Sequence, residues 1–467
     1  MPERARGGLR FSGFTGEFPR LGELAVIGRS RSTAGAARTR GHRVATVRIG
    51  SVPDLDLGGL PGRLRAFVVA NSRAITLISV PLVLASLGLL LLTPRAGIGE
   101  ESAIDYQVYR WAVQTWLAGG DIMNTAPTVS IGRVLPWVYP PFALAPLAPL
   151  ALLPFSAGLI TLYLLDLVAI GGTLYLVTRH LWPAVGQRGA LAVAMVLLPL
   201  TLFLEPVYSS FGLGQVNILL MGLVMADCLA ESPRWPRGLL IGLAAAVKLT
   251  PAAFLLFLVF RKDYRAAVVA VLTAALATLS GFALNYSAAV EYWFGKGPAH
   301  GVSGSAFHTN QSIMGALVRM ELSAVAQNGL WLMLSVTATI AVAFSIRRVE
   351  PVLAVSANAL LALLISPTSW SDHWVWCAPG LLVLLAFAVR RRSFAWLAVA
   401  AWTLVTLLAA AFNWMPAGPP WDVVAHLFGN PYAALGLVLV VLLVRYARGE
   451  QAGSAPRPSP LPEPAGV

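Results

Sequence analysis

Val247-Lys248-Leu249-Thr250-Pro251 stands in the middle of an apolar run from Gly238 to Phe260, and its reading decides how the chain crosses a membrane. The run is one span long, yet basic residues flank both ends: Arg234 and Arg237 before it, Arg261, Lys262 and Arg265 after it. A single crossing would put one of these clusters on the wrong side of the positive-inside rule. A charge at a helix centre costs about 2.5–3.5 kcal/mol on insertion scales, and Pro251 removes a helical N–H. Two short helices meeting at Lys248 in a water-filled cavity satisfy both constraints. The competing reading is one span whose Lys snorkels towards a face; it leaves the flanking charges unbalanced, so the broken pair is the expected arrangement.

Working outward, the chain has 467 residues, 57% of them hydrophobic and only 12% charged, with a mean hydropathy of +0.71. A soluble domain carries about twice that charged fraction. Repeated apolar runs of bilayer-spanning length define an all-α polytopic membrane protein, whereas a β-barrel would alternate in short segments. The net charge of +13 does not point to nucleic acid: residues 1–73 hold 13 Arg against 5 acidic residues, so most of the excess precedes the first span. That placement marks the cytoplasmic side and suits anionic lipid headgroups. Cys228 and Cys377 both fall in apolar helical runs, so neither a disulfide framework nor a thiolate metal site is expected, and no metal is expected from the histidines, whose spacing is wrong for helical ligand pairs.

The chain divides into three regions: an Arg-rich, disordered cytoplasmic tail over 1–73, a transmembrane domain over 74–446, and a Pro-rich cytoplasmic tail over 447–467. Asp54-Leu55-Asp56 in the first tail has no βα pattern around it and reads as linker. The first span, from about Ala74 to Thr93, delivers a polar loop to the outside. The short apolar piece after Tyr139-Pro140-Pro141, punctuated by Pro146, Pro149 and Pro154, reads as a half-helix entering from that side. With it, basic connectors such as Arg347-Arg348 and Arg390-Arg391-Arg392 alternate with uncharged ones, giving about eleven or twelve membrane helices, some short or broken, with both termini inside.

This topology gathers the unusual polar residues on the outer side. In Ile104-Asp105-Tyr106-Gln107-Val108-Tyr109, helical spacing sets Asp105 beside Tyr109. Tyr139, Gln215, Asn217, Lys248, His300, His308, Asn310, Gln311, Asp372, His373 and His426 join it. A carboxylate backed by aromatics beside a bilayer suits a sugar-handling site; so does an amphipathic helix lying on the membrane with an ordinary exposed Asp. The convergence of so many polar groups on one face favours a site.

The set Asp105-Tyr106-Gln107-Val108-Tyr109, Tyr139-Pro140-Pro141, Gly214-Gln215-Val216-Asn217, Lys248-Leu249-Thr250-Pro251 and Asn310-Gln311-Ser312 resembles the actinobacterial polyprenyl-phosphate-mannose-dependent alpha-mannosyltransferases, C-class (GT-C) membrane glycosyltransferases. The resemblance spans about 74–446 and leaves the Arg-rich N-terminus outside. It departs at Met123, where relatives usually have Tyr. It implies transfer of mannose, with inversion, from a lipid-phosphate donor to a mannoside, glycolipid or mannan acceptor at the extracytoplasmic face of the plasma membrane, forming an alpha and most simply alpha-1,2 linkage. No other cofactor is implied. Asp105 is the expected catalytic base. Lys248 and His373 are candidates for the departing phosphate, with Gln215, Asn217, Asn310 and Gln311 on the phosphate or sugar hydroxyls and Tyr109, Tyr139 and His308 on the substrate. One carboxylate suffices because a prenyl phosphate leaves as a stable anion, unlike the alkoxide of a glycosidase. Two rivals are an arabinofuranosyltransferase using an equivalent donor and a lipid or solute transporter. Transport would spread polar groups through the membrane depth, which this sequence does not do.

Overall fold

The computed structural model describes residues 62–93, 97–297 and 301–453. The tail before Gly62 with Asp54 and Asp56, His300, and the chain after 453 lie outside the described residues. Within them the protein is helical, with isolated β-bridges only, at Thr128–Val134 and Asn310–Trp370.

In chain order, α1 (Gly62–Leu91) is followed by α2 (Ile104–Leu117), α3 (Leu144–Ala151), α4 (Phe155–Leu181), α5 (Gly186–Thr201), α6 (Glu205–Leu213) and α7 (Asn217–Leu229). Then come α8 (Leu239–Val247), α9 (Phe254–Phe260), α10 (Tyr264–Leu284), the short α11 (Tyr286–Val290) and α12 (Ile313–Arg319). The chain finishes with α13 (Ala324–Ile346), α14 (Pro351–Ile365), α15 (Cys377–Arg391), α16 (Phe394–Ala409), α17 (Val423–Phe428) and α18 (Pro431–Gly453). Eight described helices are long and apolar enough to cross a membrane, and Pro141–Ala151, Asn217–Leu229, Thr250–Phe260 and Pro351–Ile365 are shorter apolar ones. This is a polytopic all-α membrane protein with short and broken helices among its spans.

Two boundaries differ from the sequence reading. Helix α1 already begins at Gly62 rather than Ala74, because Arg63, Arg65 and Arg73 lower the hydropathy of its first turns without breaking the helix. At the other end α18 continues past Tyr446 to Gly453.

The break at Lys248 is present. Helix α8 stops at Val247, Lys248 is extended (φ −146°, ψ 133°), and the chain resumes through a 3₁₀ turn at Thr250–Ala253 into α9. Helix α8 has 9 residues, so it rises about 14 Å before the chain turns back. Its start is fixed by Asp227, a buried acid whose carboxylate accepts from the N–H groups of Gly238 at 2.9 Å and Ile241 at 3.0 Å. Those are orphan donors of the α8 N-terminus. Arg237 in turn donates to the Asp227 carbonyl at 2.8 Å, closing the end of α7. Gly238, at φ +94°, lets α8 press onto α10: a Cβ there would lie 2.0 Å from the Ala266 carbonyl oxygen.

Contacts between connectors show which ends lie together. Arg261 donates to the carbonyls of Ile346 (3.1 Å) and Val349 (3.0 Å), Arg390 pairs with Glu350 at 3.5 Å and also reaches the Leu181 carbonyl, and Arg179 pairs with Glu231 at 3.4 Å. At the other end, Tyr106 donates to the Leu150 carbonyl at 2.8 Å, Trp116 to Leu284 at 3.0 Å and Trp331 to Ile365 at 3.1 Å. Basic connectors therefore collect at one end of the bundle, and α2 and α3 at the other. Cysteines introduced at the exposed positions Asn124 and Val423 should label from one side of the membrane, and those at Arg234, Arg265 and Arg392 from the other. Labelling of positions 234 and 265 from opposite sides would contradict the broken pair.

Candidate active site

Asp105 sits in the first turn of α2, half-buried, and its Oδ2 accepts from Gln215 Nε2 at 2.6 Å. Gln215 arrives there because α6 ends on Gly214 in the left-handed conformation (φ +66°). A Cβ at Gly214 would come within 2.7 Å of the Tyr106 Cβ; only glycine lets the two segments approach so closely. The other end of the Gln215 amide, Oε1, lies 2.8 Å from the Tyr109 hydroxyl and 3.0 Å from that of Tyr139, which are themselves 2.7 Å apart. Both tyrosines are buried and pack edge-to-face, with Trp137 against them. They brace Gln215 and do not form an open stacking platform.

From Tyr139 the network continues to the helix break. Lys248 Nζ is 3.5 Å from the Tyr139 hydroxyl and lies over its ring, 5.3 Å from the centroid. It donates to Asn217 Oδ1 at 2.8 Å and approaches His373 Nε2 at 3.1 Å. Asn217 opens α7, and its amide donates to Asp372 Oδ2 at 2.7 Å. Asp372 and His373 stand on the 3₁₀ turn Ser371–Trp376 that leads into α15. Eight residues singled out in the sequence (Asp105, Tyr109, Tyr139, Gln215, Asn217, Lys248, Asp372 and His373) thus join one hydrogen-bonded chain. A small cavity of about 40 Å³ opens beside Asn217, Thr250 and His373 and runs between Leu220, Phe254, Leu363 and Trp376.

Burial raises the Asp105 carboxyl to about 6, against the smaller opposing pull of the Gln215 amide and the Lys248 charge. The Tyr109 and Tyr139 phenols are pushed up, again chiefly by burial, so both stay protonated as donors. An acid like Asp105 changes charge close to neutral pH, where a general base works best.

Three other sequence candidates sit differently. Asn310 and Gln311 are fully buried, and the protein itself uses their polar atoms. Asn310 Nδ2 donates to the Ser305 carbonyl at 2.8 Å while its Oδ1 accepts from the Ser369 N–H at 3.0 Å. Gln311 Nε2 donates to the carbonyls of His308 and Gly429, both at 2.8 Å, and its Oε1 accepts from the Tyr432 N–H at 3.2 Å. His308 Nδ1 lies 2.8 Å from the Phe412 carbonyl, and burial lowers its affinity for a proton. No hydrogen bond links these three to the chain running from Asp105 to His373 among the described residues. The structure uses them to lace the loop before α12 to Ser369–Trp370, just ahead of Asp372, and to the start of α18. Their polarity in the sequence does not reveal that use. Arg319 completes the brace: fully buried, it donates to the Asn310 carbonyl at 2.8 Å and to Asn430 at 2.5 Å and lies over Trp421.

The profile of glycosyltransferase family 87 matches residues 137–367. The chain is 39% identical over 340 residues to a polyprenol-phosphate-mannose-dependent alpha-(1-2)-phosphatidylinositol mannoside mannosyltransferase of Mycolicibacterium smegmatis, covering 65% of this chain and 76% of that protein. It is 37% identical over 331 residues to the protein of the same description from Mycobacterium tuberculosis, covering 65% and 77%. A third similar protein, a polyprenol-phosphate-mannose-dependent alpha-(1-2)-phosphatidylinositol pentamannoside mannosyltransferase of Mycobacterium tuberculosis, is 32% identical over 317 residues, covering 66% and 71%. No solved structure matches the chain.

Asn310→Ala should lower stability by about 1–3 kcal/mol, the cost of leaving a buried donor such as the Ser369 N–H without its acceptor, with substrate KM unchanged. Thermal unfolding of the purified variant measures the first and initial rates the second. A raised KM at unchanged melting temperature would make Asn310 a substrate ligand instead.

Proposed function

This chain belongs to glycosyltransferase family 87, and from that premise we propose that it transfers mannose from polyprenol-phosphate-mannose to a phosphatidylinositol mannoside, forming an alpha-1,2 linkage with inversion. The observation that carries this reading is the single hydrogen-bonded chain with a carboxylate, Asp105, at one end and a half-buried cation, Lys248, beside His373 at the other.

The two ends divide the reaction. The acceptor hydroxyl oxygen attacks the anomeric carbon while the bond from that carbon to the phosphate oxygen breaks, and a direct displacement inverts the centre. Asp105 takes the hydroxyl proton; the prenyl phosphate departs as an anion and requires no acid. Lys248, with Asn217 and His373 beside it, offsets the charge that develops on the leaving phosphate. Gln215 orients the base by holding Oδ2, leaving Oδ1 for the acceptor. The cavity beside His373 shares Leu363 and Trp376 with a second, apolar cavity of about 100 Å³ between α14, α15, α16 and α18. A prenyl chain whose phosphate rests at Lys248 can run that way. The names of the relatives supply the mannose donor and the phosphatidylinositol mannoside acceptor. The end carrying the site is read as extracytoplasmic because the basic connectors collect at the other.

Three outcomes test the roles with purified protein, labelled donor and acceptor. Asp105→Asn should reduce kcat about 10²–10⁴-fold and leave donor affinity intact; transfer at near wild-type rate would remove Asp105 as base and shift attention to Asp372. In the wild type, kcat/KM should fall as pH drops through about 6, because protonation there consumes the base. The Lys248 charge lowers the proton affinity of Asp105, so in Lys248→Ala the acid limb should move to higher pH and donor affinity should weaken. A limb that stays in place would show that the two groups do not interact.

A further inference from the structure

Glu205 is a buried acid that plays no part in the chemistry of transfer. It opens α6 at the sequence Leu204-Glu205-Pro206, 8% exposed. Its Oε1 accepts from the Ser209 hydroxyl at 2.7 Å and the Ser371 hydroxyl at 2.8 Å, and its Oε2 accepts from the Tyr432 hydroxyl at 2.7 Å. The three donors come from α6, from the turn Ser371–Trp376 and from α18.

Two of these segments lead straight into the site. Helix α6 runs directly into Gly214, Gln215 and Asn217, and Ser371 immediately precedes Asp372 and His373. The two segments meet again where Asn217 donates to Asp372 at 2.7 Å and where Lys248 bridges Asn217 and His373. The Glu205–Ser371 bond therefore ties the start of α6 to the residue next to Asp372. It sets how closely the Ser371–Trp376 turn approaches α7 and Lys248.

We propose that Glu205 is a positioning residue for the leaving-group side of the site: through Ser371 it holds the Asp372–His373 turn at the distance that lets His373 and Asn217 flank Lys248. This rests on the mannosyl-transfer reading for its kinetic consequence, while the positioning itself stands on geometry alone.

The test has two readouts. Hydrogen–deuterium exchange of residues 371–376 in the full chain, in lipid nanodiscs, should rise in Glu205→Gln and in Ser371→Ala, while exchange in α4 stays at the wild-type level. In kinetic assays each variant should lower donor kcat/KM about 10- to 100-fold, the size of effect a misplaced catalytic turn produces, with acceptor KM unchanged. The double variant should be no worse than the poorer single, since both break one joint. Tyr432→Phe, which removes a Glu205 partner outside the turn, should leave donor kcat/KM within about twofold of wild type. Unchanged exchange at 371–376, independent losses that multiply, or an equal loss in Tyr432→Phe would each overturn the proposal. Should Glu205→Gln fail to fold, Ser371→Ala carries both readouts. Wild-type protein that transfers no mannose while exchange responds as expected would refute the mannosyl-transfer reading and leave the joint intact.

Discussion

An ammonium group placed where a helix stops governs this fold. Lys248 comes directly after the last residue of α8, and Pro251, three residues on, lacks the N–H that would carry the helical hydrogen bonding past it. A charge withdrawn from water must be paired with hydrogen-bonding partners to be tolerated. Here the partners come from three other segments: Asn217 at the head of α7, His373 on the turn before α15, and Tyr139 in the segment before α3. Satisfying one amine thus gathers the start or end of several helices into a single place. The opposite end of α8 is closed by Asp227 and Arg237, whose reciprocal capping fixes the turn between α7 and α8.

The same network gives the site its division of labour. Asp105 and Lys248 do not touch, yet Gln215 and Tyr139 connect them. An amide in the middle has one end for each: its N–H faces the carboxylate, and its oxygen faces the hydroxyls. Burial is the larger influence on Asp105 and raises its carboxyl against the opposing charge of Lys248. Set at a distance and half-buried, Asp105 keeps enough proton affinity to act as a base. One carboxylate is sufficient only where the leaving group needs no proton, which is the property of a prenyl phosphate.

Much of this was legible in the sequence. The broken helix was implied by basic residues at both ends of one apolar run, and reading 104–109 as helix set Asp105 beside Tyr109. The short α3 was implied by its prolines. Less visible were roles that depend on which polar atoms the fold uses for itself. Asn310 and Gln311 look like ligands in a linear reading, but their amides are consumed by backbone groups of distant segments. Nothing in the linear sequence joins Glu205 to Ser371 and Tyr432; only the folded chain brings them together. The early start of α1 was hidden because arginines depress hydropathy without opposing helix.

The central claim, that base and phosphate anchor occupy the two ends of one hydrogen-bonded chain, is tested most directly by a structure of the Asp105→Asn variant trapped with intact donor. A phosphate oxygen should then lie within about 3 Å of Lys248 Nζ, with the anomeric carbon turned towards position 105. A donor phosphate seated elsewhere, with the bonds from Lys248 to Asn217 and His373 undisturbed, would contradict it.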